Sequence, residues 1–273
     1  MMQIKRFITH GGISAVKFST NTKATRAIIF VGGIGSGARA WDEVIKKILK
    51  ELPDTLCVGF DLRCHGASAC NLPKDGIDLL KVMSIDLSSV SSKINPDLPL
   101  TLVGHSLGGT VVQEAVNLFP KFQNSKRILI CSSVKTPLSF IAEPSSFYTL
   151  IRWLTKNKKP GKEVSSQLFI RFKNTGDFYL PRILTEVFRL TPRVFLAIWL
   201  GCISYKNTKL ELIDNEKTLI LYGKYDRILP KRYQEKTFRE LHSARVVAIN
   251  SNHVAPLNAI DELAENIAAF SVL

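Results

Sequence analysis

The chain has 273 residues, of which 45% are hydrophobic and 22% are charged, so it has the apolar material for a large buried core and is not a disordered chain. Its formal net charge is +14, which can attract nucleic acid, anionic lipid or an acidic protein. No nucleic-acid-binding motif accompanies the charge, so we expect no nucleic-acid partner. The longest apolar run, 194–203, is well short of the roughly 20 residues that span a bilayer, and the N-terminal residues lack a secretory signal pattern. We therefore expect a cytoplasmic protein without a transmembrane segment.

Cysteine usage predicts reduced thiols and no metal centre. The five cysteines are an odd number in a long chain, whereas disulfide-stapled domains are usually short and carry an even number. No C-x-x-C pair occurs, and structural zinc sites are commonly built from such pairs. The sequence thus predicts neither a metal nor another cofactor.

Apolar runs alternate with amphipathic stretches along most of the chain. The run Ala27–Val31 is continuously apolar, which is typical of a strand buried on both faces of a sheet. The predicted strands are 3–8, 13–18, 27–31, 55–60, 100–103, 126–131, 217–222 and 245–249. The predicted helices of this part of the chain are 41–52, 77–94, 108–118, 231–241 and 257–270. This alternation favours an α/β fold with a mostly parallel, doubly wound sheet of about eight strands, in which ligands bind at the carboxyl ends of the strands.

Residues 134–206 interrupt this alternation with several predicted helices and no clear buried strand. The segment holds 12 of the 24 aromatic residues, and 12 Lys or Arg against 4 acidic residues, a net charge of +8. An aromatic and basic insertion after the sixth strand is a candidate helical lid over a core domain formed by 1–133 and 207–273. The alternative is an ordinary helical subdomain whose aromatic residues pack only against one another.

The motif Gly-His-Ser-Leu-Gly-Gly (104–109) follows a predicted strand and begins a predicted helix. This is the context of a G-x-S-x-G nucleophile elbow, in which a sharp turn exposes the serine hydroxyl at the carboxyl edge of the sheet. Gly104 and Gly108 are small because the turn leaves no room for side chains two positions from the serine. The motif predicts Ser106 as a nucleophile and places the amide of Leu107 at the start of the helix.

The motif and three further stretches resemble the α/β-hydrolase superfamily, in its cap-bearing serine esterase and C–C hydrolase branch. The three stretches are Asp-Leu-Arg-Cys-His-Gly-Ala-Ser (61–68), Leu-Tyr-Gly-Lys-Tyr-Asp (221–226) and Asn-His-Val-Ala-Pro (252–256). The resemblance extends from about residue 13 to 270 and implies the α/β-hydrolase fold. It also implies the chain order nucleophile, acid, histidine.

A serine nucleophile needs a base, and the base needs an acid that orients it. Of the five histidines, only His253 lies in a loop after the last strand, where the family has its base; the remaining four are His10, His65, His105 and His242. Asp226 follows the strand 217–222 and matches the family's acid. Some relatives carry the acid after the preceding strand, but 132–135 contains no carboxylate.

The glycine-rich loop Gly32–Gly37 is expected to supply the second donor of an oxyanion hole, beside the amide of Leu107. By resemblance the donor is the amide of Ile34, although Gly32 stands where relatives usually have histidine, which raises the question of how the loop is kept rigid. A dinucleotide site is the competing interpretation, but Gly33, Gly35 and Gly37 do not have G-x-G-x-x-G spacing. The resemblance gives Asp61 and Arg63 a structural role in the turn after their strand.

Together these residues predict a serine hydrolase that cleaves a carboxylic ester or thioester with an apolar acyl or alcohol part through an acyl-enzyme on Ser106. The candidate pocket residues are Gly33, His105, Phe140, Trp153, Phe172, Trp199 and Val254. A second candidate function is that of an esterase for methyl esters carried on an acidic acyl carrier protein, with Arg152, Arg171, Arg182, Arg189 and Arg193 as carrier contacts. A C–C bond hydrolase or lyase using the same triad is a third candidate, and a non-catalytic ligand-binding homologue is a fourth.

Overall fold

A computed structural model describes residues 2–20, 22–71, 79–134, 144–156, 158–203 and 205–273. The described residues form an eight-stranded sheet with the order β1-β2-β4-β3-β5-β6-β7-β8. The strands are β1 Gln3–Ile8, β2 Ser14–Ser19, β3 Arg26–Val31, β4 Thr55–Phe60, β5 Leu100–His105, β6 Lys126–Ile130, β7 Thr218–Gly223 and β8 Arg245–Ile249. Strand β2 pairs antiparallel with β1 and β4, and the pairs from β4 to β8 are parallel. The predicted mostly parallel sheet is therefore confirmed.

Helices cover both faces of the sheet. They are α1 Asp42–Glu51, α2 Leu79–Ser91, α3 Leu107–Leu118, α4 Pro120–Gln123, α5 Pro144–Thr155, α6 Ser166–Ile170, α7 Leu180–Leu190, α8 Pro192–Ile203, α9 Lys231–Phe238, α10 Ala255–Asn258 and α11 Ile260–Val272. Helices α1 and α11 pack against one face, and α2 and α3 pack against the opposite face. Two apolar cores result, because the central strands are buried on both faces as their continuous apolar runs predict.

Four helices, α5 to α8, lie between β6 and β7 in the described part of the chain. The backbone of this inserted segment joins the core at Gly161, whose N–H donates to the carbonyl of Gly66 at 2.8 Å. Glu163 in the segment forms ion pairs with Arg6 at 2.6 Å and with Arg39 at 3.6 Å. These contacts anchor the segment to the core. The assignment of residues 134–206 as a lid stays a prediction.

The prediction that all cysteines are reduced is wrong for one pair, since Cys64 and Cys70 form a disulfide. The turn between them brings their Cα atoms to 4.1 Å. Within it, the N–H of Cys64 donates to the carbonyl of Ala69 at 2.9 Å, and Cys64 has a φ of 69°. An odd cysteine count does not exclude one local pair, and because disulfides persist mainly in oxidising compartments, this bond does not favour the cytoplasmic expectation.

The helices of the described residues include none with the length and apolar character required to cross a bilayer.

Candidate active site

Ser106 lies at the turn between β5 and α3 with a φ of 51° and a ψ of −119°. This left-handed conformation is unusual for a residue with a side chain, and such strain is found mainly at functional sites. The turn is possible because glycines flank it: a Cβ on Gly104 would lie 2.4 Å from the carbonyl oxygen of Gly108. A Cβ on Gly108 would lie 2.1 Å from the carbonyl oxygen of Val31. The local sequence thus produces the expected elbow geometry.

Three polar side chains form a continuous hydrogen-bonded chain at the carboxyl edge of the sheet. The Nε2 of His253 lies 2.9 Å from the Oγ of Ser106, and its Nδ1 lies 2.9 Å from the Oδ2 of Asp226. The carboxylate of Asp226 is fully buried, and its Oδ1 accepts from the N–H groups of Ile228 and Leu229 at 2.9 and 2.7 Å. These bonds fix the carboxylate so that it accepts a hydrogen bond from Nδ1–H of His253 and leaves Nε2 free to act as a base.

Asp177 also supports this arrangement, although no sequence pattern singles it out. Its Oδ1 accepts from the backbone N–H of His253 at 2.8 Å, and its Oδ2 accepts from the N–H of Arg227 at 2.7 Å. Asp177 belongs to the inserted segment and is 4% exposed. Asp177 therefore connects that segment to the loop that carries His253 and to the loop that carries Asp226.

The glycine loop, Gly32–Gly37, passes directly against the serine. A Cβ on Gly33 would lie 3.2 Å from the Cβ of Ser106, so only a glycine allows this approach without displacement. The N–H of Ile34 donates to no other residue of the described ranges, and the N–H of Leu107 lies in the first turn of α3, where helix amides lack an intrahelical acceptor. Both predicted donors are thus available beside the serine.

His65 holds the glycine loop in place. Its Nε2 accepts from the N–H of Gly35 at 3.2 Å, and its Nδ1 donates to the carbonyl of Arg63 at 3.0 Å. Burial lowers the pKa of His65 to about 4, so the ring is neutral at pH 7 and can accept at Nε2. A side chain at Gly32 would instead collide with Ser36, since its Cβ would lie 2.5 Å from the Ser36 Oγ. His65 therefore keeps the glycine loop rigid although position 32 is a glycine and not a histidine.

The turn that carries His65 is itself well anchored. The buried Asp61 accepts from the N–H groups of Ala38 at 2.8 Å and Ala67 at 3.0 Å. Arg63 forms a buried ion pair with Asp86, with Nη2 to Oδ1 at 2.6 Å. Both residues have the structural contacts that the sequence predicts for them.

A cavity of about 330 Å³ opens beside the serine and is mainly apolar. Four predicted pocket residues line it: Gly33, His105, Trp199 and Val254. Burial lowers the pKa of His105 to about 3, and its neutral ring donates from Nε2 to the carbonyl of His253 at 2.7 Å. The wall also contains apolar residues that were not predicted as pocket residues, among them Ile34, Phe169, Phe178, Ile183, Phe195 and Leu257.

Two predicted pocket residues do not line the cavity, and a third, Phe140, lies outside the described residues. Trp153 is 58% exposed and stacks under the guanidinium of Arg193 at 5.3 Å. Phe172 is buried against Tyr179, with ring centroids 6.4 Å apart. Both predictions are corrected because an aromatic residue in a helix is directed by the orientation of that helix, which the sequence pattern does not give.

The predicted carrier contacts divide into two groups. Arg152, Arg171 and Arg193 are exposed. Arg182 is 8% exposed and lines the catalytic cavity, where it pairs with Glu186 at 2.8 Å, so its assignment as a surface contact is corrected. Arg189 is partly buried and donates to the carbonyl of Gly35 at 3.3 Å, which also removes it from a docking role.

One cluster of the described residues has the spacing of a metal site: ligand atoms of Cys131, Asp226 and His253 lie within 4.8 Å of one another. Asp226 and His253 are already hydrogen-bonded to each other, and His253 is also bonded to Ser106. Burial, and next the charge of Asp226, raise the pKa of the Cys131 thiol well above its usual value. Because metals bind the thiolate, the donor set fits a hydrogen-bonded triad better than a metal.

A family model described as the alpha/beta hydrolase family matches residues 28–266. The chain belongs to the alpha/beta hydrolase family. Among solved structures of similar fold, an esterase from Thermogutta terrifontis has a TM-score of 0.64 at 18% identity, covering 98% of this chain and 97% of that one. An enol-lactonase from Burkholderia xenovorans LB400 has a TM-score of 0.66 at 13% identity, covering 98% and 100%. These likenesses concern the hydrolase fold.

Among curated relatives, norfluorocurarine synthase 1 from Strychnos nux-vomica is 30% identical over 141 residues. The match covers 51% of this chain and 50% of the relative. The chain is therefore matched over about half the length of this relative.

Proposed function

We propose that this protein is a serine hydrolase that cleaves a carboxylic ester or thioester through an acyl-enzyme on Ser106. The observation that carries the proposal is the hydrogen-bonded chain from Ser106 Oγ to His253 Nε2 and from His253 Nδ1 to Asp226, each link 2.9 Å long. Membership of the alpha/beta hydrolase family supports a hydrolytic activity. The mainly apolar cavity beside the serine supports a substrate with an apolar acyl or alcohol part.

In the proposed reaction, the Oγ of Ser106 attacks the carbonyl carbon while His253 takes the hydroxyl proton. The amides of Ile34 and Leu107 stabilise the negative oxygen of the tetrahedral intermediate. The carbon–oxygen or carbon–sulfur bond then breaks, and the leaving group receives the proton from His253. A water molecule, deprotonated by His253, attacks the acyl-enzyme and releases the acid and free serine.

Hydrolysis of p-nitrophenyl esters of increasing chain length tests this function. We expect the wild-type protein to turn them over and the Ser106→Ala variant to lose at least about a thousandfold in kcat/KM. The preferred acyl length then measures the usable depth of the cavity. Equal activity of the two proteins would assign the hydrolysis to another group and contradict the proposal.

The curated relatives are named as synthases and not as esterases. A second candidate is therefore a reaction other than ester hydrolysis, namely cleavage of a C–C bond, by the same three residues. The two candidates share Ser106 and differ in substrate. If Ser106 reacts with a serine-directed phosphonate but the protein hydrolyses no ester of the series, the result would favour the second candidate.

A further inference from the structure

Helix α7 directs its charged side chains toward the protein. Arg182 is buried and pairs with Glu186 at 2.8 Å. Further along the helix, Arg189 donates to the carbonyl of Gly35 at 3.3 Å. The charged side of this helix thus faces the glycine loop and the catalytic cavity.

The apolar side of α7 faces outward. Leu180, Leu184 and Phe188 are 60%, 42% and 70% exposed. Their spacing of four residues places them on one side of the helix, and such a stripe is ordinarily buried. Surface helices usually have the opposite orientation, so an outward apolar stripe indicates an interaction surface.

Neighbouring helices extend this apolar surface. Helix α8 packs on α7 and on α5, and both α8 and α5 also expose large apolar side chains. We call the exposed apolar side chains of these three helices the outer face. They are Leu150, Trp153, Leu180, Leu184, Phe188 and Leu196, each at least 42% exposed.

The exposed charge of the described part of the inserted segment is of one sign. The exposed cations of the inserted segment are Arg152, Lys156, Lys159, Lys162, Arg171 and Arg193. Within residues 144–156 and 158–203 no carboxylate is exposed: Asp177 is buried, Glu186 pairs with Arg182, and Glu163 pairs with two arginines. The segment therefore offers exposed apolar residues and exposed cations together.

We propose that the outer face binds the surface of an anionic lipid bilayer. Apolar side chains enter the boundary between head groups and acyl chains, and nearby Lys and Arg attract the anionic head groups. A second copy of the chain fits less well, because a two-fold contact would bring this cationic surface against itself. A lipid surface also requires no shape complementarity from side chains spread over three helices.

The position of the catalytic cavity agrees with such binding. Phe178 and Trp199 line the cavity and are 64% and 44% exposed, so its mouth opens at the inserted segment that carries the outer face. An apolar ester dissolved in the bilayer would reach Ser106 without crossing bulk water. The proposal goes beyond the proposed function, since lipid binding does not require turnover.

Co-sedimentation with vesicles tests the proposal. We compare vesicles of phosphatidylcholine alone with vesicles of an equal mixture of phosphatidylcholine and phosphatidylglycerol. The test variant is Leu184→Ser/Phe188→Ser. The matched control is Leu118→Ser/Val272→Ser, which removes exposed aliphatic residues at the C-terminal ends of α3 and α11. These ends lie near the amino ends of the strands, on the side of the sheet away from the cavity.

We expect the wild type and the control to bind the anionic vesicles, and the test variant to bind at least about tenfold more weakly because it loses apolar surface. Binding should weaken between about 0.1 M and about 1 M salt. Turnover of a soluble short ester should be equal in all three proteins, since the replaced side chains do not line the cavity. A failure of the esterase proposal would therefore be distinguished from a failure of the lipid-binding proposal.

The proposal would be overturned if the wild-type protein does not bind anionic vesicles, or if the test variant binds them as well as the wild type does. Sedimentation velocity without lipid provides a further check. A wild-type dimer that the Leu184→Ser/Phe188→Ser variant dissociates would show that a second copy covers the outer face, which also overturns it.

Discussion

Two side chains bond to the backbone of the glycine loop at Gly35: Arg189 donates to its carbonyl at 3.3 Å, and His65 binds its N–H. The ring accepts from the N–H of Gly35 at 3.2 Å, one residue beyond the proposed donor Ile34. Because an oxyanion hole works through donors that are already in place before the reaction, a small displacement of this loop lowers the rate of the chemical step. His65 is accordingly a positioning residue in the proposed mechanism.

Replacement of His65 separates positioning from folding. We expect His65→Leu to lower kcat on a short p-nitrophenyl ester by about 10- to 100-fold with little change in KM, since the loop amide loses its acceptor. His65→Gln retains an acceptor at a similar reach and should recover most of kcat. The measurement is steady-state kinetics together with the melting temperature of each variant.

If His65→Gln and His65→Leu show the same decrease in kcat and the same decrease in melting temperature, the residue contributes to folding alone. If both keep the wild-type kcat, the hydrogen bond to Gly35 has no part in catalysis. The rescue by glutamine at unchanged stability is the result that only a positioning role predicts.

At the scale of the element, the strand–turn–helix unit of β5 and α3 is built on the absence of side chains. A Cβ at Gly108 would lie 2.1 Å from the carbonyl oxygen of Val31. That oxygen belongs to the backbone of β3 and cannot move without disturbing the sheet. The elbow therefore requires close backbone contact between α3 and the neighbouring strand.

Gly108→Ala should destabilise the protein by about 1–3 kcal/mol, because the added methyl group forces backbone apart. Gly176→Ala is the matched control, since its Cβ would meet nothing within 4 Å. We expect the control to lie within about 1 kcal/mol of the wild type and on the stabilising side, as the unfolded chain loses entropy. Urea unfolding measures both, and equal stability of the two variants would contradict this account of the elbow.

The elements differ in how far their sequence predicts them. The strands 55–60 and 245–249 have the predicted bounds. In contrast, the outward apolar stripe of α7 and the buried Arg182 could not be predicted, because a helical apolar pattern ordinarily indicates the buried side. The predicted positions of Trp153 and Arg182 were wrong for this reason.

At the scale of the whole molecule, the sheet brings together residues that lie far apart in the chain. Ser106 and His253 are 147 residues apart and in hydrogen-bond contact. Their meeting was predictable, since each follows a strand and parallel strands end at one edge. Asp177 and the His65–Gly35 bond were not predictable, because a polar residue in a loop carries no signal of the distant backbone group that it binds.

The proposed role of Ser106 is tested most directly by covalent labelling with a fluorophosphonate, followed by intact-mass and peptide mass spectrometry. The account predicts one adduct per chain, on the peptide that contains Ser106, and none in the Ser106→Ala variant. An adduct on another residue, an adduct that persists in Ser106→Ala, or a folded wild-type protein that does not react would contradict it.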